Sequence, residues 1–199
     1  MKRPQWLWRP STLGTICCTL TLLSCSPKAD RFPEANVILI SVDTLRSDHL
    51  PAYGYTQVET PAIDSFASDS VLFENAFSHS PLTLPSHASI MTGKLPSEHG
   101  VRENLGFKLT AEQESLAEMF KTRGYQTAAF VSSMVLRRST GIAQGFDLFD
   151  DYLASDSGKK VANYAQRDGK IALERAAQWV SAHADDPFFV WIHIYEPHT

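Results

Sequence analysis

Two residues in this chain have types and settings suited to chemistry, Thr83 and Asp43. Thr83 lies in Pro81-Leu82-Thr83-Leu84-Pro85-Ser86-His87-Ala88-Ser89-Ile90-Met91-Thr92-Gly93-Lys94, which reads as a reactive hydroxyl at the start of a helix. Pro85 suits the first turn, because its missing N–H would be unpaired there and its φ is already helical. Gly93 can end the helix. A helix N-terminus offers free N–H groups and partial positive charge, so it holds an oxyanion on or near Thr83. The same residues also suit a capped surface helix with no chemistry, whose Thr and Ser satisfy backbone donors. Asp43 closes the run Asn36-Val37-Ile38-Leu39-Ile40-Ser41-Val42-Asp43. Ligands of open α/β sheets bind beyond the carboxyl ends of the strands, where a carboxylate is well placed to take a metal. Capping a turn is the other role open to it.

The elements that must position these two groups follow from hydropathy. Residues 36–43 form a continuous apolar, β-branched run of strand length, 125–131 read as a second strand and 188–195 as a third, nearly all apolar; such runs fit strands covered on both faces of a parallel sheet. Helices are predicted between them. Residues 60–67 carry a Thr cap and a Pro at the first position. A helix opened by a Thr110–Gln113 capping box and ended by Gly124 buries Leu116, Met119 and Phe120. A long helix over residues 160–183 turns Val161, Tyr164, Ile171, Ala172, Ala176, Trp179 and Val180 to the core, and Asp185-Asp186-Pro187 breaks it. Residues 71–73 read as a brief extended piece, 94–108 as a loop and 132–151 as irregular. Strands alternating with helices predict an α/β fold with a mostly parallel sheet flanked by helices. Three strands make a thin sheet, so the chain is expected to be the N-terminal portion of a longer protein.

The first residues read as an export signal. Lys2, Arg3 and Arg9 precede an apolar stretch over residues 11–23, too short to span a membrane. It ends in Leu22-Leu23-Ser24-Cys25, which resembles the lipobox of bacterial lipoproteins, whose Cys is lipidated. The expected organisation is a lipoprotein signal peptide over 1–24, a tether over 25–35 and a catalytic region over 36–199. The protein would then be exported and held at a bacterial membrane by Cys25, with Ser26 pointing to the outer membrane, facing the periplasm. An ordinary signal peptide or an uncleaved anchor remains the alternative. Removal of 1–24 takes away three basic residues and no acid, leaving a net charge near −7. That charge gives no support for nucleic-acid binding. Cys17 and Cys18 lie within 1–24 and Cys25 directly follows it, so no disulfide or Cys metal site is expected in the rest.

With Asp43, Thr83 and the following helix in place, the chain from residue 36 resembles the N-terminal half of a sulfatase, in the alkaline phosphatase superfamily. Three blocks carry the likeness. Residues 36–46 resemble the family's opening strand and metal loop. Phe73-Glu74-Asn75-Ala76-Phe77, then Pro81-Leu82-Thr83-Leu84-Pro85-Ser86-His87 and Thr92-Gly93-Lys94, match the spacing of the signature C/S-x-P-S-R-x-x-x-x-T-G-R. Glu196-Pro197-His198 resembles a strand-end segment whose His contacts the substrate's sulfate or phosphate. The resemblance implies Asp43 as a metal ligand and Thr83 as nucleophile and ligand, with Thr44 a weaker metal candidate. It makes Lys94, His99 and His198 candidates for substrate and oxyanion contacts. It also implies one or two divalent metal ions (Ca, Mg, Mn or Zn) and an anionic ester substrate. A bound cation lowers the nucleophile's pKa and neutralises charge that builds on the ester oxygens.

Three positions depart from the family pattern. Sulfatases carry at position 83 a Cys or Ser that is oxidised to formylglycine. A Thr cannot give that aldehyde, because its β-carbon already bears a methyl group, though it can attack directly. His87 stands where the signature has an Arg that helps hold the formylglycine. Thr44 stands where many members have a second metal-binding Asp, and Asp48 and His49 are off-register substitutes. The expected function is metal-dependent hydrolysis of sulfuric or phosphoric esters by a direct Thr nucleophile. The alternatives are an inactive sulfatase-like lipoprotein that binds an anionic ligand or partner, and a surface protein whose anchor is its main function. The family's remaining metal ligands come from a C-terminal half beyond residue 199, so these residues alone are expected to be inactive.

Overall fold

The computed structural model describes residues 32–153 and 166–198. The chain divides into two units, Met1–Phe32 and Pro33–Thr199, and the second holds the elements below. The signal and Cys25 readings lie outside the described residues.

Three apolar runs form strands where the sequence predicts them: β1 (Val37–Val42), β2 (Gln126–Val131) and β4 (Phe188–Ile194). A fourth strand, β3 (Leu148–Asp150), lies in the stretch expected to be irregular. The sheet has the order β1-β4-β2-β3, and every pairing is parallel. Side chains alternate strictly between its faces. On one face Phe189 and Trp191 of β4 join Ala129 and Val131 of β2, packed with Leu84, Ala88 and Met91 of helix α2 (Thr83–Thr92). On the other, Phe188, Val190 and Ile192 join Ala128 and Phe130 under Ala172 and Ala176 of helix α5 (Gly169–Ala182). Helices cover both faces of β2 and β4, which is why these two strands read as apolar runs; β1 is packed on one face only, and Ile38 and Ile40 are exposed on the other. Phe189 and Trp191 are fully buried, each contributing about 1.5–3 kcal/mol relative to exposure.

The remaining helices are α1 (Pro61–Ser68), α3 (Pro96–His99) and α4 (Leu116–Lys121). The first was expected. The second occupies residues expected to be loop; Pro96 at its first position and Gly100 at its end, with φ of 81°, bracket one short turn. The capping box of α4 is Ser115 with Glu118, not Thr110 with Gln113, which close only a turn. The expected long helix over 160–183 begins at Gly169, because the Asp168 side chain accepts from the Lys170 N–H and caps it there. Gln166 already pairs with Ser133 as an isolated bridge, and Val161 and Tyr164 lie outside the described residues.

Candidate active site

Register decides which groups meet at the carboxyl edge of the sheet. Val37 and Leu39 pack on the α2 face, so Ser41 and Asp43 follow on that face by the period of two. Ser41 lies opposite His193 of β4 in the ladder, and Trp191 is two residues earlier on the same face. Helix α2 lies over that face and starts at Thr83, with Pro85 at its third position rather than its first.

There Thr83 Oγ1 donates to Asp43 Oδ2 at 3.1 Å. Asp43 is fixed from behind, since its N–H donates to the Ile194 carbonyl at 2.9 Å. Its next residue, Thr44, is exposed and holds a left-handed φ of 55°, which is costly for a β-branched side chain and recurs where a chain is bent for function. His193 is fully buried and its Nε2 stands 3.6 Å from Asp43 Oδ2. Its Nδ1 accepts from the Ser132 N–H at 3.4 Å, so the ring proton sits on Nε2 and faces the carboxylate. Burial pushes the Asp43 carboxyl up, but His193 and the Thr83 hydroxyl outweigh it and hold the group below the usual range.

His87, one turn into α2, is buried edge-on to His193 with ring centroids 5.0 Å apart. Its Nδ1 lies 2.7 Å from the Thr83 carbonyl and its Nε2 3.0 Å from Ser41 Oγ. Burial, with His193 alongside, pushes its pKa down to about 4, so the ring is neutral at pH 7. The side chain of Asn104 completes the setting by accepting from the Leu84 N–H at 2.8 Å. It caps a helix whose own N-cap residue, Leu82, has no acceptor side chain.

The structure brings Asp43 and Thr83 together but takes Lys94 and His99 elsewhere. Lys94 follows the far end of α2, about 14 Å from its start, and His99 packs beside the middle of the helix at Ser89. Lys94 Nζ donates to Gln113 Oε1 at 2.8 Å. His99 is buried; its Nδ1 accepts from the Val101 N–H at 3.1 Å, so its Nε2–H donates to Ser89 Oγ at 3.0 Å. Burial lowers its pKa. His198 lies beyond the end of β4, stacked on Tyr195 at 4.5 Å. Its segment is tied down by Glu196, whose carboxylate accepts from the Gly169 N–H at the start of α5. Asp48 pairs with Arg46 on the surface, and His49 stacks on Tyr55.

Sequence reasoning did not single out Ser41, Asn104 or His193 as site neighbours. For His193 a signal was present, a polar residue in an otherwise apolar strand, which needs a partner when buried. Asn104 carries no local signal, because it acts from 20 residues away.

Asp43 and Thr83 form a pair of hard oxygen donors of the kind that divalent cations take. No group of three or more His, Cys, Asp or Glu side chains suited to a metal occurs among the described residues. The pair therefore fits part of a cation's shell, and the described residues do not complete it.

Comparison with known proteins bears on the family and the fold. The sulfatase family model matches residues 35–199. An ulvan-active sulfatase from Formosa agariphila is 30% identical over 207 residues, covering 92% of this chain and 40% of that protein. A protein solved in complex with its substrate D-glucosamine-2-N,6-O-disulfate superposes with a TM-score of 0.69 at 23% identity, covering 82% of this chain and 35% of that one. The phosphonate monoester hydrolase of Agrobacterium radiobacter has the same fold, with a TM-score of 0.65 at 22% identity, covering 83% and 41%. The chain thus spans less than half the length of these relatives. A parallel sheet with Asp43 at its first strand end, a helix opened by Thr83 and a family match over 165 residues place the chain in the sulfatase family, within the alkaline phosphatase superfamily.

Proposed function

We propose that the full-length protein hydrolyses sulfuric or phosphoric esters with Thr83 as a direct nucleophile. One observation carries this reading: the 3.1 Å hydrogen bond from Thr83 Oγ1 to Asp43 Oδ2, between a helix N-terminus and a strand end. Asp43 orients the hydroxyl, and the N-terminus of α2 places partial positive charge where an ester oxygen gains negative charge. Attack by Oγ1 on sulfur or phosphorus forms the Thr83 ester and releases the alcohol, which takes up a proton. Water then cleaves the Thr83 ester, regenerating the hydroxyl and releasing sulfate or phosphate. A divalent cation held in part by Asp43 and Thr83 supplies Lewis acidity when bound. Its remaining ligands come from outside the described residues. Relatives named as sulfatases support the sulfuric ester; Thr in place of a formylglycine precursor supports the phosphoric ester, and both are retained.

The test is hydrolysis of an aryl sulfate, an aryl phosphate and a phosphodiester by the full-length protein with and without added divalent cation. Metal-dependent turnover that disappears in Thr83→Ala and in Asp43→Ala is expected. Full activity in Thr83→Ala would remove the nucleophile assignment. The departures from the family pattern at Thr83, His87 and Thr44 support a second reading, an inactive protein that binds an anion. Metal analysis separates the two, since a stoichiometric divalent ion is expected only of the enzyme. We further propose anchoring through Cys25, supported by Leu22-Leu23-Ser24-Cys25. Lipid labelling lost in Cys25→Ala is the expected result.

A further inference from the structure

We propose that His87 is a positioning residue for the nucleophile, locked in one tautomer by a one-way hydrogen-bond chain running from Trp191 through Ser41 to the carbonyl of Thr83. The inference rests on Thr83 being the nucleophile. The polarity of the chain follows from its two ends. The indole Nε1–H of Trp191 can only donate, and it donates to Ser41 Oγ at 3.0 Å. The Thr83 carbonyl can only accept, and it faces His87 Nδ1 at 2.7 Å. In a neutral ring Nδ1 must therefore carry the proton and Nε2 must accept. Among the described residues, the hydrogen-bond partner of Nε2 is the Ser41 hydroxyl at 3.0 Å, which is free to give its proton because it already receives one from Trp191.

Every link in this chain is anchored in something rigid. Ser41 and Trp191 sit on adjacent paired strands, β1 and β4, and Trp191 is fully buried. The Thr83 carbonyl also accepts from Ser86 Oγ at 3.0 Å. Two side-chain donors thus converge on the carbonyl of the residue whose own hydroxyl faces Asp43. They fix the Thr83 backbone against the sheet that carries Asp43, so the first turn of α2 cannot drift from the strand end. A misplacement of about 1 Å in such a group costs about 100-fold in rate.

Four variants of the full-length protein separate positioning from simple structural support: His87→Ala, His87→Asn, His87→Gln and Ser41→Ala. An Asn amide reaches the place of Nδ1 and keeps the donor to the Thr83 carbonyl; a Gln amide reaches the place of Nε2 and loses it. His87→Ala is expected to lower kcat about 100-fold with KM changed less than about 3-fold, His87→Asn to recover at least about tenfold of that loss, and His87→Gln to recover none. Equal kcat in the Asn and Gln variants, or a kcat loss that tracks Tm alone, overturns the inference. Independently of activity, 15N NMR of histidine-labelled protein should show His87 with the proton on Nδ1, and a mixture of tautomers in Ser41→Ala. A proton on Nε2 in the parent protein also overturns it. If Thr83→Ala keeps full activity, the nucleophile reading fails by itself, whereas the tautomer measurement still stands or falls on the hydrogen-bond chain.

Discussion

Thr83 and Asp43 are forty residues apart in sequence and joined by one hydrogen bond of 3.1 Å between Oγ1 and Oδ2. Asp43 is nearly buried, with a tenth of its side chain exposed, so it depends on its few partners. Thr83→Val keeps the shape and removes the hydroxyl. It should cost about 1–2 kcal/mol of stability, because the carboxylate loses a donor it cannot replace with water. It should also abolish ester hydrolysis, whereas Thr83→Ser should keep both stability and most activity. Urea unfolding and initial rates on the three proteins decide this. Hydrolysis retained by the Val variant is incompatible with attack by this hydroxyl.

The neutral His87 makes stability depend on pH. The unfolded chain takes up this proton near the ordinary value of 6.5, the folded protein only near 4. The folded state therefore binds fewer protons between those values. Stability from this site is full above about pH 6.5 and falls as pH drops toward 4. From pH 7 to pH 5 the loss is roughly 2 kcal/mol. Unfolding free energies at the two pH values, for the parent and for His87→Gln, should show a smaller drop in the variant. An equal drop in both would mean that His87 is not the group responsible.

The parts of the fold that could be read from sequence are those where one physical signal dominates. β2 and β4 are covered on both faces, so nearly every residue is apolar and the runs stand out. α2 is ended by Gly93 at φ 67°, and the glycine announces that stop. β3 could not be read, because Leu148-Phe149-Asp150 is three residues long and takes its identity from pairing with β2. That Asp43 follows a strand and Thr83 opens a helix was legible, because a strand end and a helix start are local features. Lys94 and His99 were named through the family resemblance, which does not report their hydrogen-bond partners; those are Gln113 and Ser89.

Leu84 shows how the core holds the site. It is fully buried directly after Thr83 and packs in the cluster with Trp191 and Phe189. Leu84→Ala should cost about 2–5 kcal/mol and loosen the first turn of α2. Calorimetry should show the drop in Tm, and a loss under about 1 kcal/mol would mean that the helix start is not anchored by this contact.

Gly169 joins the α5 start to the segment that carries His198. A Cβ there would lie 2.6 Å from Ile194 Cγ2 and 2.7 Å from Glu196 Oε2. Gly169→Ala should therefore destabilise by about 1–3 kcal/mol, despite the better helix propensity of Ala. Glu196→Gln, which keeps an acceptor for the Gly169 N–H, should cost under about 1 kcal/mol. Unfolding midpoints for both variants test the close approach, and a stabilised Gly169→Ala would exclude it.

Asn104 separates helix stability from charge at the nucleophile. Its Oδ1 accepts from the Leu84 N–H at 2.8 Å, so Asn104→Ala should cost about 1 kcal/mol, as for a lost N-cap. Asn104→Asp keeps the acceptor and adds a negative charge at the positive end of α2, which stabilises a helix by about 0.3–1 kcal/mol. That same charge sits one residue from Thr83, where an anionic ester must arrive and where its oxygens gain charge in the transition state. Asn104→Asp should thus match or exceed the parent in Tm while losing at least about tenfold in kcat/KM, a loss that added salt partly restores by screening. Asn104→Ala should show the opposite pattern, with lower Tm and a smaller kinetic loss. If Asn104→Asp keeps full kcat/KM at low salt, the start of α2 is not where the ester's negative charge is received.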